Sequence, residues 1–185
     1  MTPAERVIRE RIARSGPIPV AEYMAIALGD PSHGYYRTRD PLGADGDFVT
    51  APEISQVFGE LIGLWCVVTW RAIGAPDPVR LVELGPGRGT LMADALRAAR
   101  SVPEFLAAAD IHLVETSPAL ARRQHDALAA ARSTWHESFA AVPDGPCLVI
   151  ANEFFDALPV EQLVRTPDGW RGACDPDKGG RPAGY

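Results

Sequence analysis

Residues 79–100 read VRLVELGPGRGTLMADALRAAR. The first seven form a short apolar run of strand character. The stretch from Thr90 carries apolar residues at helical spacing. Between them stand Gly85, Gly87 and Gly89, with Glu83 two residues ahead of the first glycine. A strand that turns directly into a helix through bare backbone is the opening unit of an open α/β sheet. In such sheets ligands bind beyond the carboxyl ends of the strands, and glycine lets the chain turn tightly with no Cβ between backbone and ligand.

The spacing restricts the ligand. The turn is GxGxG, not the GxGxxG of dinucleotide sites, and no Gly-Lys-Ser/Thr follows, so a phosphate-cradling P-loop is excluded. A nucleoside without a committed phosphate cradle suits it best. The next strand, DIHLVETS, ends in Glu115, 26 residues past Gly89. A carboxylate there can accept hydrogen bonds from two ribose hydroxyls. The same acid also suits the positive end of the helix opening at Pro118.

Downstream the rhythm continues. PALARRQHDALAAAR reads as a helix, STWHES as a short strand, and CLVIANEFFDALP as a strand running into a loop. Strands alternating with helices predict a parallel sheet with helices on its faces, an α/β three-layer αβα architecture. A fifth strand is expected at Val160 to Arg165. The stretch from Gly169, rich in Gly and Pro, reads as unstructured.

Upstream, Thr2-Pro3-Ala4-Glu5 reads as a capped helix start, with the helix running to about Arg14. A second helix is expected over Val20 to Leu28, and residues 29–50 read as a long Gly-, Pro- and Asp-rich loop. Thr50-Ala51-Pro52-Glu53 reads as another capping box, opening a helix over about 52–73 that is apolar nearly all round. It is expected to be buried on most sides. The predicted organisation is an N-terminal helical and loop extension over 1–74 packing on the core, a ligand-binding core over 75–171, and a disordered or truncated tail over 172–185.

Composition narrows the function. The chain has 185 residues, 46% hydrophobic, with formal net charge −6. That supports one sizeable core and gives no footprint for nucleic acid or anionic membrane. The longest apolar stretch, LIGLWCVVTW, is too short for a membrane span. Cys66, Cys147 and Cys174 are odd in number and form no CxxC, so neither a disulfide framework nor a metal site is expected, and a reducing, cytoplasmic setting is. Cys66 and Cys147 read as small core residues.

Four stretches in this order, GYY (34–36), GDFVTAPEISQVFGE (46–60), ELGPGRGTLMAD (83–94) and NEFFDALPV (152–160), resemble the MidA family of class I S-adenosylmethionine-dependent methyltransferases. These are bacterial relatives of the mitochondrial complex I assembly protein-arginine methyltransferase. The resemblance covers about residues 16–171. It implies a Rossmann-like methyltransferase sheet, S-adenosyl-L-methionine as cofactor, and a protein arginine as acceptor, with a subunit of respiratory complex I among the candidate partners. It also implies that segment 46–60 covers the cofactor. Members of the family are longer, so the sheet is expected to be incomplete at the C-terminus.

Under this reading Glu83, Gly85, Gly87, Gly89, Glu115 and Asn152 bind the cofactor, with Glu83 near its cationic methionine end. Glu153 and Asp156 are the catalytic candidates. A planar guanidinium matches carboxylates, and a carboxylate can localise its charge on one nitrogen and leave the other nucleophilic. Phe154 and Phe155 read equally as water-excluding or core residues. His33 and His136 receive no role. A non-catalytic assembly factor that keeps the fold stays open as an alternative, as does a nucleotide-dependent oxidoreductase, which the GxGxG spacing disfavours.

Overall fold

Thr2 accepts a hydrogen bond from the Glu5 amide and caps the first helix, α1 (Pro3–Ser15), as the Thr-Pro-Ala-Glu pattern predicts. The computed structural model describes residues 1–38 and 49–173. It divides into two compact units, one joining 1–39 to 155–185 and one of 40–154.

The first unit holds α1, α2 (Val20–Met24) and α3 (Tyr35–Thr38). The expected helix to Leu28 passes instead into one π turn over Ala25–Gly29. Asp30 then accepts from the Ser32 and His33 amides at 2.8 and 2.9 Å, and α3 occupies part of the stretch read as loop. Residues 39–48 of that loop, Asp47 and Phe48 among them, lie outside the described residues.

The second unit carries the sheet. Its elements are α4 (Ala51–Ile54), α5 (Gln56–Ala72), β1 (Val79–Leu84), α6 (Thr90–Ala99), α7 (Pro103–Ala108), β2 (Ala109–Val114), α8 (Pro118–Ala127), β3 (Ser133–His136) and β4 (Cys147–Ile150). The four strands are parallel in the order β3-β2-β1-β4. The chain walks outward from β1 through β2 to β3 and returns to the other side of β1 with β4. The order therefore reverses between β1 and β4, where open α/β sheets bind ligands. Central β1 is buried along nearly its whole length. Leu81, Leu91, Met92, Phe105 and Leu113 form the core with Cys66, Val67 and Trp70 of α5.

The apolar helix expected over 52–73 differs in two ways. Ser55 is extended (φ −146°, ψ 119°) and splits it into α4 and α5. Only one face of α5 is buried, through Gly59, Gly63, Cys66, Val67 and Trp70, while Val57, Leu61, Leu64, Trp65 and Val68 are exposed. The buried face is a close helix–helix contact. A Cβ on Gly59 would meet Asp94 Cβ at 2.6 Å, and one on Gly63 would collide with the Ala95 backbone of α6. Arg97 of α6 reaches Glu60 of α5 at 3.1 Å beside this seam. Because backbone atoms cannot yield as a flexible side chain can, Gly63→Ala is expected to destabilise the protein by about 2 kcal/mol. A lowered urea midpoint at unchanged slope would register it, and an unchanged midpoint would refute the close contact.

Two further expectations are corrected. The fifth strand does not join the parallel sheet: β5 (Leu163–Thr166) pairs antiparallel with β6 (Gly169–Gly172), so part of the stretch read as unstructured is strand. Cys147 is exposed, because it starts β4 at the sheet edge, where alternate residues face outward. Residues 174–185 lie outside the described residues, Cys174 among them.

Candidate functional site

The turn after β1 is held in a conformation that favours glycine. Gly85, Gly87 and Gly89 have φ of +61°, +57° and +85°, in the left-handed region that side chains disfavour. The Gly85 amide donates to the Val114 carbonyl at 3.0 Å, tying the turn to the end of β2, and Gly89 caps α6. Leu84 stands beside Val114, and Glu83 beside Ile150. Gly85, Glu115 and Ala151 thus leave three adjacent strands side by side, at the reversal of strand order. The register sets the glycine turn, Glu115 and Asn152 at the carboxyl ends of neighbouring strands. The Phe154 ring lies over Gly85, 2.6 Å from where a Cβ would stand, and joins a small cluster with Val82, Leu84 and Val114.

Glu83 is almost fully buried, 3% exposed. Burial pushes its pKa up to about 8, partly opposed by a hydrogen bond from the Met92 amide. Its Oε2 is buried with no hydrogen-bond partner. Burial, reinforced by the charge of Glu83, likewise raises the Cys66 thiol to about 11. A buried carboxyl with an unmatched oxygen suits a proton or a cationic ligand group, because an ionised carboxylate is costly there without a counter-charge.

Glu115 follows β2 directly. Its amide donates to the His136 carbonyl at 2.9 Å, and its Oε1 accepts from the Ser117 amide at 2.7 Å. Its Oε2 accepts from the Gln124 side chain at 3.0 Å.

After β4, Asn152 is half-buried and Glu153 exposed. Glu153 has φ +47°, one of two non-glycine residues at positive φ among the described residues. Asp156 belongs to the other unit, in the short turn Phe155–Ala157, and is exposed. Phe154 packs, whereas Phe155 is exposed.

Two contributors were not read from the sequence. Thr50 and Glu53 do not form a capping box, since Thr50 makes no side-chain cap bond. Glu53 instead accepts from the Thr90 hydroxyl at 2.6 Å, which fastens α4 to the residue after the glycine turn. Gln124 is the other: it is 0% exposed, and its Nε2 also donates to the Gly87 carbonyl at 2.8 Å. A signal existed, because Gln124 falls four residues from both Leu120 on the buried stripe of α8 and Leu128, the buried residue that ends the helix.

His136 lies 2.9 Å, Nε2 to Nδ1, from buried His112, whose Nε2 is 3.1 Å from Asp110. Burial and then His112 lower the pKa of His136, and Asp110 acts the other way. Among the described residues no acid, histidine and cysteine cluster could hold a metal ion, and no helix is long and apolar enough to cross a membrane.

Comparison with known proteins gives a consistent result. A family model of S-adenosyl-L-methionine-dependent methyltransferases matches residues 61–174. The chain is 44% identical to the Drosophila melanogaster "Protein arginine methyltransferase NDUFAF7 homolog, mitochondrial", over 89% of this chain and 42% of that protein. It is 42% identical to the Homo sapiens "Protein arginine methyltransferase NDUFAF7, mitochondrial", over 92% of this chain and 44% of that one. The chain thus spans less than half the length of these relatives. A COG1565 superfamily member from Burkholderia thailandensis, crystallised with S-adenosyl-homocysteine, superposes with a TM-score of 0.74 at 30% identity, covering 91% of this chain and 45% of that one.

Proposed function

The chain belongs to the S-adenosyl-L-methionine-dependent methyltransferase family, and from that premise we propose that it serves methyl transfer to an arginine of a protein partner. The names of its relatives support the acceptor class. The observation that carries the site is Glu153, a non-glycine residue at φ +47° immediately beyond β4. Such a conformation costs about 1–3 kcal/mol and persists where surrounding structure enforces it, which is common at active sites.

The residues present fit the cofactor. The backbone at Gly85, Gly87 and Gly89 turns through left-handed conformations without side chains, and buried Glu83 has an oxygen to match a cationic group. Glu115 would hold the ribose hydroxyls, Glu83 the cationic amino-acid end, and Asn152 would contribute a polar contact beside them. Bound there, S-adenosylmethionine supplies an electrophilic sulfonium methyl. The chain's own work is then to orient the acceptor in line with that methyl group and take up its proton. Glu153 would bind the guanidinium and hold its positive charge on one nitrogen; Asp156 is the alternative candidate for that role. The other nitrogen becomes the nucleophile. Phe154, packed on the glycine turn, would limit water beside it.

A subunit of respiratory complex I remains among the candidate partners through the family resemblance. A cytoplasmic location is proposed from cysteine usage, while the animal relatives are named mitochondrial.

Transfer of labelled methyl groups from S-adenosylmethionine to cellular protein, followed by hydrolysis and analysis for methylarginine, tests the acceptor. The assay belongs on the full-length protein. Glu153→Gln should reduce transfer at least tenfold, since a charge-assisted bond to the acceptor becomes a neutral one. Affinity for S-adenosylhomocysteine should stay within about twofold. Undiminished transfer, or labelling of small molecules alone, would overturn the arginine reading.

A further inference from the structure

We propose that Gln124 is a positioning residue that locks the glycine turn and Glu115 into one unit and thereby sets recognition of the ribose diol. This rests on the reading that the turn and Glu115 hold the nucleoside.

Gln124 is fully buried on α8, where an apolar residue would ordinarily stand. Its amide nevertheless has three partners. Oε1 accepts from Trp135 Nε1 at 2.9 Å, and Nε2 donates to the Gly87 carbonyl at 2.8 Å and to Glu115 Oε2 at 3.0 Å. The indole N–H can only donate, so it must face the amide oxygen, and the NH2 group must face the other two. The indole is itself held, stacked on His125 of α8 with ring centroids 3.6 Å apart. The orientation of Gln124 is therefore set from outside the ligand site.

The two acceptors of this NH2 group are the centre of the glycine turn and the acid on the next strand. Neither can shift without straining the same amide. The backbone is close as well, since a Cβ on Gly89 would stand 3.3 Å from Gln124 Cα. Ser117 holds Glu115 Oε1 from the other side. The Ser117 and Gln124 amides between them fix both carboxylate oxygens of Glu115 in place.

The test compares S-adenosylhomocysteine with its 2′-deoxy analogue by calorimetry on the full chain. The native protein should prefer the diol, and Glu115→Gln should remove most of that preference. Gln124→Met keeps volume and apolar fit but cannot donate. It should lower affinity for S-adenosylhomocysteine about tenfold and bring the ratio between the two ligands close to that of Glu115→Gln. Combining the two substitutions should add little to either alone. A packing role would weaken both ligands equally and leave the ratio intact, which would overturn the proposal. Should Gln124→Met fail to fold, Trp135→Phe removes the indole donor and frees the amide to turn. A smaller fall in the same ratio is expected there, and an unchanged ratio would refute the proposal. If the native protein does not distinguish the two ligands, or Glu115→Gln binds normally, the site reading itself fails.

Discussion

Replacing Gly87 by valine should abolish binding of S-adenosylmethionine and S-adenosylhomocysteine while leaving a folded protein. Gly87 is at φ +57°, where a β-branched residue is strongly disfavoured. Its carbonyl is tied to the buried Gln124 amide, so the turn cannot relax without breaking that bond. Under the proposed assignment of the turn to the cofactor, the new side chain would stand where the ligand lies. A loss of at least a thousandfold, about 4 kcal/mol, is expected, against a stability loss of about 1–2 kcal/mol from backbone strain. Gly74→Ala separates the two effects. Gly74 is at φ +93° with nothing within 4 Å of the added Cβ. That variant should show comparable strain and unchanged ligand affinity. A folded Gly87→Val that binds S-adenosylhomocysteine normally would remove the turn from the site.

The difference between what the sequence discloses and what it hides follows from where the determining contact lies. The β1–turn–α6 unit is local. Apolar period, glycines and helix start occupy about twenty consecutive residues, and the expected strand and helix are found at Val79–Leu84 and Thr90–Ala99. The acid after β2 is placed for the same reason, since a strand paired in register with β1 must deliver Glu115 beside the glycine turn. The α5 reading fails because apolar character does not say which neighbour covers a face. The face that packs is chosen by Gly59 and Gly63, whose missing side chains admit α6, and not by the larger Leu61, Leu64 and Trp65. Glu53 fails differently. Spacing within Thr50-Ala51-Pro52-Glu53 satisfies a local rule, yet the carboxylate is used 37 residues away, on Thr90. Gln124 shows the opposite case, a polar residue on a buried stripe whose violation of the pattern marks specific hydrogen bonds, here to the glycine turn and Glu115.

Glu83 makes stability depend on pH, and Glu83→Gln should remove most of that dependence. In the unfolded chain the carboxyl titrates near 4.5, and in the folded protein burial holds its proton to about pH 8. Below pH 4.5 both states carry the proton, and Glu83 costs folding nothing. Between pH 4.5 and 8 the unfolded chain has released a proton that the folded chain keeps. Folding is disfavoured by roughly 1.4 kcal/mol for each pH unit in this window. Above pH 8 both states are ionised and the slope ends, with a cumulative loss on the order of 4–5 kcal/mol. Glutamine keeps the shape and carries no charge. Measured by urea unfolding, the stability of Glu83→Gln relative to the native protein should therefore rise from pH 5 to pH 8 and then level off. The same proton should leave when a cationic ligand group reaches the unmatched oxygen, since a nearby positive charge lowers a carboxyl pKa. Calorimetry of S-adenosylmethionine binding at pH 7 in buffers of different ionisation enthalpy should then show net proton release in the native protein and little in Glu83→Gln. A stability difference that stays flat from pH 5 to 8, with no buffer dependence of the binding heat, would mean that Glu83 is ionised in the folded chain and has no cation to meet.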